Sequence, residues 1–312
     1  MPKKNIYKLT KQELSSLRLL SIHNKVLIKV HDPVLEKKSP GGIILISPTD
    51  TDWNPDVHAD RYGIVESVPI SLNRKKMMWR TTMELQVGDV VWYDYLMSLN
   101  SDSFIVDGVE YKLMDYDYLY VAKRGEKIIC LNGYCLFSPK KDELSTNSDL
   151  IIIHDGNDIR LAKMIYSSPP NVEYDNEWVD DGNIDVGDMC IFSMPPIMLE
   201  AEYHSLFDGK RQYRISQRRY LYGYVRDGEL IPAKDCLVII PDEKKCFDGS
   251  NIIIPESLRK RSNYGVVYRS GSDEVNAGDR VHYHYSQATY ISHNGVEYGL
   301  IRNGHILYRN TE

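Results

Sequence analysis

Short apolar runs separated by turn residues occur along most of the chain. Residues 25–30, 133–137 and 236–240 are runs of this kind, and Gly, Asn, Asp or Pro residues stand between such runs. These lengths and spacings are typical of the strands of small β-barrels and sandwiches. The pattern therefore predicts an all-β fold built from many short strands.

The same succession of signals occurs three times. Gly-Asp pairs stand at Gly88-Asp89, Gly187-Asp188 and Gly278-Asp279, which are 99 and 91 residues apart, and an apolar strand-like segment follows each pair. A repeat of about 100 residues has the size of a domain. The sequence therefore predicts three tandem small β-barrels after an N-terminal extension. The predicted limits are residues 1–21 for the extension and 22–123, 124–230 and 231–312 for the barrels.

Other local signals recur in the copies. Asp107-Gly108 and Asn294-Gly295 are tight hairpin turns of the type that favours φ > 0, and Asp208-Gly209 is the middle version. Tyr62-Gly63 in the first copy matches Tyr264-Gly265 in the third. Each copy also contains an aliphatic triplet, at Ile43-Ile44-Leu45, Ile151-Ile152-Ile153 and Ile252-Ile253-Ile254.

One segment near the N-terminus has a helical pattern. Thr10 and Glu13 have the spacing of a capping box, in which each residue accepts a hydrogen bond from the other's backbone N–H. Leu14, Leu17 and Leu20 follow on one side of the expected helix. The sequence predicts a short helix ahead of the first barrel.

The composition of the chain argues against two classes of binding partner. The chain of 312 residues has a formal net charge of −6, which argues against a nucleic-acid coat protein because such proteins need a basic face. No apolar stretch approaches the roughly 20 residues that span a membrane, and the first residues lack the apolar core of a signal peptide. We therefore expect no nucleic-acid or membrane partner, and a cytoplasmic location.

The sequence offers no motif for catalysis, a cofactor or a metal. It contains no Gly-rich phosphate loop, nucleophile elbow or zinc-protease motif, and its five cysteines form no metal-type doublets. His282 and His284 would project from one face of a strand, with His293 on the next strand, but no carboxylate or cysteine completes a ligand set at a telling spacing. We expect a protein that is not an enzyme, with no catalytic, cofactor or metal site.

Three motifs of the first copy follow one another in a set order: Gly41-Gly42 running into residues 43–45, then residues 87–89 (Val-Gly-Asp), then residues 107–111 (Asp-Gly-Val-Glu-Tyr). In this order of motifs the first copy resembles the GroES family of ten-kilodalton co-chaperonins. The third copy keeps most of this series but has lost the Gly-Gly pair, and the middle copy is the most divergent. The resemblance implies three tandem GroES-like small β-barrels behind a short N-terminal helix.

The resemblance also implies a function and a site. In the family a mobile loop, here residues 33–50, places an aliphatic tripeptide in a groove on the apical domains of a GroEL-type chaperonin, which assists protein folding. Carried over, the chaperonin-binding residues are Gly41, Gly42, Ile43, Ile44 and Leu45, with Ile252, Ile253 and Ile254 as a second apolar loop. Burying an Ile or Leu yields roughly 1.5–3 kcal/mol, and ordering a loop residue costs about 1–2 kcal/mol. One loop therefore binds weakly, and a ring of loops binds through avidity.

Two alternatives remain open from the sequence. Residues 43–45 have the pattern of an ordinary buried strand as well as that of a binding loop. Three fused domains also do not divide into the sevenfold co-chaperonin ring. The alternative function is a structural ring-forming protein, for example of a virus particle, that uses the barrels without binding a chaperonin; its location would be the virion instead of the cytoplasm of a cell or an infected host. A binding module or small enzyme with an interdomain site is the third possibility.

The assembly expected from the resemblance is a homo-oligomeric ring. Barrels of this family pair the first strand of one subunit with the last strand of its neighbour, and exposed strand edges favour such addition. The expected linkers, residues 123–127 and 227–233, are short, so adjacent barrels must touch. The sequence does not fix the number of subunits.

Overall fold

The structure is a computed structural model that describes residues 6–19, 24–30, 37–38, 44–46, 62–77, 79–94, 97, 100–139, 161–169, 183–193, 214–242 and 262–310. Most of these residues lie in β-strands, and helix α1 (Lys11–Leu19) stands near the N-terminus. The all-β fold expected from the sequence is confirmed. The aliphatic triplet at residues 151–153 and the turn at Asp208-Gly209 lie outside the described residues.

The first large sheet has eight strands in the order β1-β7-β8-β2-β5-β6-β9-β10. Two further short strands, β3 and β4, pair only with each other. The strands of this part of the chain are β1 (Ile6–Lys8), β2 (Lys25–Val30), β3 (Lys37–Lys38), β4 (Ile44–Ile46), β5 (Tyr62–Ser67), β6 (Val90–Tyr93), β7 (Asp102–Val106), β8 (Val109–Asp115), β9 (Leu119–Arg124) and β10 (Lys127–Cys130).

Two six-stranded sheets follow along the chain, in the orders β14-β11-β12-β13-β15-β16 and β20-β21-β17-β18-β19-β22. The second sheet consists of β11 (Tyr134–Pro139), β12 (Leu161–Ser167), β13 (Met189–Phe192), β14 (Arg214–Gln217), β15 (Leu221–Arg226) and β16 (Glu229–Pro232). The third consists of β17 (Cys236–Pro241), β18 (Tyr264–Ser270), β19 (Arg280–Tyr283), β20 (Thr289–His293), β21 (Val296–Arg302) and β22 (Ile306–Asn310).

The three sheets share one strand order. In each sheet the opening strand (β2, β11 or β17) has two neighbours. One neighbour is the next strand of the same sheet along the chain (β5, β12 or β18), and the other is a strand from later in the copy (β8, β14 or β21). A one-turn 3-10 segment precedes the last strand of each copy, at Tyr116–Tyr118, Arg218–Tyr220 and Asn303–His305. The recurring signals of the sequence thus correspond to a recurring topology.

Sheets one and two each receive one more strand at the edge formed by their last strand. β10 pairs antiparallel with β9, and β16 pairs antiparallel with β15. Both additions use the stretches that were expected to be linkers, which form hairpins around Gly125 and around Asp227-Gly228 instead. The linker prediction is therefore wrong, because these residues continue the sheet. The domain limits at residues 123/124 and 230/231 remain predictions.

The described residues group into two compact units. The first contains the described residues up to Cys135 together with residues 166–169, and the second contains the remaining described residues from Leu136 onward. Within the second unit, the second and third sheets share a buried cluster. It contains Ile191, Tyr222, Leu230, Cys236, Val238, Ile291, Tyr298 and Leu300, with Leu161, Val225 and Ala233 packed against it.

The capping box predicted for helix α1 is present. The backbone N–H of Thr10 donates to Glu13 Oε2 (2.8 Å), and the backbone N–H of Glu13 donates to Thr10 Oγ1 (3.3 Å). The first turn of α1 therefore has partners for backbone N–H groups that a helix leaves free at its start. Leu14, the first leucine of the predicted stripe, is 5% exposed and packs on the first sheet.

The three Gly-Asp turns have one geometry. Each glycine has a positive φ (94° at Gly88, 104° at Gly187, 94° at Gly278) that favours glycine. Each aspartate accepts a hydrogen bond of 2.8 Å at Oδ2 from the backbone N–H three residues earlier. Each of these aspartates therefore forms its turn through a local hydrogen bond to the backbone. The hairpin turns at residues 107–108 and 294–295 also have positive φ at both positions, as predicted.

The inner cores of the first and third sheets occupy corresponding positions. Gly88 N–H donates to Val65 O (2.8 Å) and Gly278 N–H donates to Val267 O (2.8 Å), which places Val65 and Val267 at the same point of the two sheets. Buried pairs at other matching points confirm this register. They are Val26 and Leu237, Ile28 and Ile239, Leu85 and Val275, Val91 and Val281, Tyr93 and Tyr283, and Met114 and Ile301.

Candidate functional site

The predicted chaperonin-binding residues lie partly in a short ribbon. Ile44 and Leu45 belong to β4, which pairs antiparallel with β3 through the partners Lys37–Ile46 and Lys38–Ile44. This ribbon is a separate two-stranded sheet and contributes no strand to the eight-stranded sheet. Gly41, Gly42 and Ile43 lie outside the described residues, as does most of the segment 33–50.

The second predicted loop, Ile252, Ile253 and Ile254, also lies outside the described residues. Its flanks are described: β17 ends at Pro241 and β18 begins at Tyr264. In the first copy the corresponding flanks are the end of β2 at Val30 and the start of β5 at Tyr62. The two predicted loops therefore leave their sheets between corresponding strands.

The base of the first loop is tightly packed. A Cβ on Gly63 would lie 2.4 Å from the carbonyl oxygen of Lys29, so only glycine allows β5 to approach β2 this closely. In the third copy a Cβ on Gly265 would lie 2.6 Å from the carbonyl oxygen of Ile240. This close approach explains the Tyr-Gly signal that both copies carry. It gives each predicted loop a fixed point of re-entry into its sheet.

A shallow groove lies beside this base in the first unit. Its volume is about 380 Å³, and both apolar side chains and one lysine line it. The lining residues are Lys29, Val30, Tyr62, Gly63, Ile64, Val90, Gly108 and Val109. The tip of the hairpin between β7 and β8 lines this groove, beside the point where the predicted loop joins the sheet.

Two arginines that the sequence analysis missed fix the Gly-Asp turns. Arg124 donates from Nε and Nη2 to the two carboxylate oxygens of Asp89, both at 2.8 Å, and Asp89 is 2% exposed. Arg226 makes the same paired contact with Asp188 at 2.8 and 2.7 Å. These hydrogen bonds raise the pKa of both guanidinium groups above their ordinary value. An arginine at the end of β9 and of β15 was the signal that could have revealed the pairs.

Two of the three histidines considered as metal ligands make other contacts. The His282 ring stacks on Tyr264 with ring centroids 4.5 Å apart. His293 Nε2 lies 2.9 Å from the carbonyl oxygen of Gly228. Over the part of the chain that the structure describes, no group of three or more His, Cys, Asp or Glu residues could hold a metal ion. No helix among the described residues is long and apolar enough to cross a membrane.

Comparison with known proteins supports the resemblance over part of the chain. The family model described as "Chaperonin 10 Kd subunit" matches residues 229–308. The comparison with curated proteins gives no match. The matched range begins at β16 and runs to Tyr308 in β22, so it contains the third sheet and the strand that pairs with β15. The resemblance to the co-chaperonin family is thereby confirmed for the third copy, whereas the first copy, which carries the quoted motifs, lies outside the match.

Proposed function

We propose that the protein is a co-chaperonin that docks on a GroEL-type chaperonin ring through apolar loops and assists protein folding. The observation that carries the proposal is the match of residues 229–308 to the ten-kilodalton chaperonin subunit family. The shared strand order and Gly-Asp turn geometry of the three sheets, together with the matching core positions of the first and third, support the view that all three are GroES-like barrels. Such a partner would place the protein in the cytoplasm of a cell or of an infected host, and the function requires no catalytic residue.

The contacts assigned to docking are Gly41, Gly42, Ile43, Ile44 and Leu45, with Ile252, Ile253 and Ile254 as a second set. Two features support the first set. Ile44 and Leu45 belong to a ribbon that contributes no strand to the eight-stranded sheet. The ribbon lies in sequence between the tightly packed flanks at Val30 and Tyr62. An apolar segment with a fixed base and no role in the sheet suits transient binding in an apolar groove.

The assembly that we propose is a homo-oligomeric ring closed by strand addition. β9 and β15 each have a strand added at their free edge, whereas β22 is an edge strand among the described residues. Leu307 and Tyr308 of β22 are 52% and 61% exposed. Because unpaired strand edges favour pairing with another chain, β22 is the edge at which a neighbouring copy would add.

Chaperonin binding tests the docking residues. We expect Ile44→Asp to weaken capture by a GroEL-type chaperonin in the presence of nucleotide by at least about tenfold. Every subunit of the ring carries the substituted loop, so the loss of affinity at each loop is compounded over all the loops that bind together. Ile70→Asp is the matched control, since Ile70 is 95% exposed and lies outside the loop. Ile253→Asp tests the second loop in the same assay. Unchanged binding of Ile44→Asp would show that the docking residues are wrongly assigned.

Mass photometry of the purified protein tests the ring. Seven subunits would support a capping role, because seven matches the symmetry of a GroEL-type ring. A closed ring of another symmetry that fails to bind chaperonin would favour the structural alternative, for example in a virus particle. A stable monomer at micromolar concentration would contradict both functions.

A further inference from the structure

We infer that helix α1 is a cap that restrains self-assembly. It covers a face of the first sheet, and through this face one molecule would dock on the exposed face of the third sheet of a second molecule. The inference rests on the proposed homo-oligomer and adds its contact surfaces and its control. The occupant of the exposed face is a second copy of this chain.

The contact between the second and third sheets supplies the template. In the third sheet, Ile291 is paired with Tyr298 across β20 and β21, and Val238 is paired with Leu300 across β17 and β21. These four side chains belong to the buried cluster that the two sheets share. We name these positions the docking face of a copy. In the third sheet this face is apolar, and the second sheet buries it.

The second sheet contributes a different set of positions to that cluster. Leu161, Ile191 and Gly223 are cross-strand neighbours on β12, β13 and β15. Ile191 is 0% exposed, and Leu161 packs against the cluster. A Cβ on Gly223 would lie 2.8 Å from Leu300 Cδ2, so the docking face reaches the backbone here. We name these positions the receiving face.

The receiving face of the third sheet is exposed. The neighbours that correspond to Leu161, Ile191 and Gly223 are Tyr264, His282 and Tyr308. Tyr264 is 44% exposed and Tyr308 is 61% exposed. Val266 and Ile240, paired next to them on β18 and β17, are 37% and 38% exposed. An aromatic and aliphatic patch of this kind on a sheet face marks an interaction surface. Tyr308 in place of glycine offers a ring instead of backbone to the incoming side chains.

The docking face of the first sheet has the same composition and is covered by α1. Phe104 is paired with Tyr111, and Leu27 is paired with Leu113, at the positions of the Ile291–Tyr298 and Val238–Leu300 pairs. All four pack in a cluster that includes Leu14 of α1. This cluster also contains Leu9, Val106 and Val109. The N-terminal segment thus occupies the place that a preceding copy occupies in the second unit.

The cover is held by the short ladder of β1 with β7, which spans three residue pairs, and by side-chain contacts. Tyr7 of β1 stacks on Phe104 at 5.7 Å, and Lys11 pairs with Asp107 at 2.9 Å, where both side chains are largely exposed. Exposed ion pairs add little, and a helix of nine residues has little stability of its own. A terminal segment with a polar outer side that shields an apolar repeat face acts as the capping unit of a repeat array. A second copy can therefore compete with it.

The register of the chain supports displacement of α1. Counting back from the opening strands, Arg18 and Leu19 stand where Lys127 and Ile128 stand in β10, and where Glu229 and Leu230 stand in β16. The count is fixed by the hydrogen bonds from Tyr116 N to Asn24 O and from Asn303 N to Asp235 O. The end of α1 thus corresponds to strands that close the edge of a preceding copy. Release of α1 would free the docking face and this strand position together.

Self-association of the full chain tests the inference. We expect Leu14→Asp, which detaches α1, to tighten self-association at least about tenfold in sedimentation velocity. Ser15→Asp is the matched control, because Ser15 is the next residue of the helix and is exposed. Glu13→Ala, which removes the capping box without adding charge to the docking face, should shift association in the same direction by less.

The exposed face is tested in the same background. Adding Tyr264→Asp to Leu14→Asp should return association to the level of the native protein, which distinguishes specific docking from aggregation of an uncovered face. Circular dichroism verifies that each variant is folded. A folded Leu14→Asp protein with unchanged association, or a double variant that still associates, would overturn the inference. Ile44→Asp should leave self-association unchanged, so a failure of chaperonin docking is distinguishable from a failure of this contact.

Discussion

A partly buried carboxyl group, that of Glu84, lies in the segment just before the Gly-Asp turn of the first copy. Glu84 accepts hydrogen bonds from Thr81 Oγ1 and from the Tyr116 hydroxyl. Burial raises the pKa of Glu84 above its ordinary value of 4.5 in spite of these bonds. The pKa of Tyr116 is raised as well, first by burial and then by the nearby carboxylate. Glu84 therefore holds its proton more strongly in the folded protein than in the unfolded chain.

This residue makes stability depend on pH in a defined direction. As the pH rises from the unfolded-state pKa of 4.5 through the higher folded-state pKa, the unfolded chain ionises more readily than the folded one, so stability falls. Glu84→Gln removes the ionisation and keeps an oxygen acceptor. We expect the variant to gain stability relative to the native protein across this window and to match it below about pH 4. Thermal unfolding between pH 4 and 8 measures the difference.

Glu126→Gln provides the control for that titration. The Glu126 side chain is 99% exposed and lies 3.9 Å from Lys123 Nζ. Its substitution should shift the unfolding temperature only slightly, because exposed ion pairs contribute under about 1 kcal/mol. A Glu84→Gln difference that does not change with pH would contradict the assignment of the titration to this partly buried carboxyl group.

At the scale of the element, the arginine at the end of a last strand fixes its position against the Gly-Asp turn. Arg124 bridges β9 to Asp89 and also donates from Nη2 to the carbonyl oxygen of Glu84 (2.8 Å). We expect Arg124→Met to lower the free energy of unfolding by about 1.5–3 kcal/mol, since Asp89 loses two charge-assisted hydrogen bonds. Urea denaturation measures this loss, and Arg226→Met should behave alike in the second copy.

Lys123→Met is the matched control on the same strand. Lys123 pairs with the exposed Glu126, so its loss should cost less than about 1 kcal/mol. Equal effects of Arg124→Met and Lys123→Met would mean that the paired contact with Asp89 contributes no more than an exposed ion pair.

The elements that the sequence predicted well are those set by local chemistry. The capping box of Thr10 and Glu13, the Asp107-Gly108 and Asn294-Gly295 hairpins and the Gly-Asp turns each depend on residues within three positions of one another. Residues 123–127 and 227–233 were expected to be linkers, although they form local hairpins in which Lys127 pairs with Arg124 and Glu229 pairs with Arg226. Gly125 and Gly228, which have positive φ, are the local turn signals that could have revealed these hairpins.

The candidate site was predictable to a smaller degree. The Tyr-Gly pair at residues 62–63 was recognised as a repeat, but its reason, the approach of Gly63 to the Lys29 carbonyl oxygen, depends on packing between strands. The proposed binding role of Ile44 and Leu45 rests on the family resemblance. The receiving face around Tyr264 and Tyr308 was not predicted. It is recognised only by comparison with the second sheet, where residues of the third sheet cover the corresponding positions.

At the scale of the molecule, the shared cluster makes the second and third sheets one cooperative unit. Leu300 is fully buried and lies over Gly223 of the second sheet. We expect Leu300→Ala to cost about 2–5 kcal/mol, because the cavity cannot be filled from either sheet. Hydrogen exchange should then increase in β15 and β16 as well as in the third sheet.

Ile301→Ala is the matched comparison. Ile301 is also fully buried, but it belongs to the inner core of the third sheet, so a loss of similar size should increase exchange there first. An identical exchange pattern for the two variants would contradict the assignment of Leu300 to the contact between sheets.

The strands β10 and β16 also bear on how the chain folds during synthesis. Each is the last strand of its sheet along the chain, and each is followed within a few residues by the opening strand of the next sheet, β11 or β17. A nascent chain emerges from the ribosome N-terminus first and folds as its parts become available. The stretch that completes one sheet therefore leaves the ribosome just before the stretch that starts its successor, so the order of synthesis favours completion of each sheet before the next one forms.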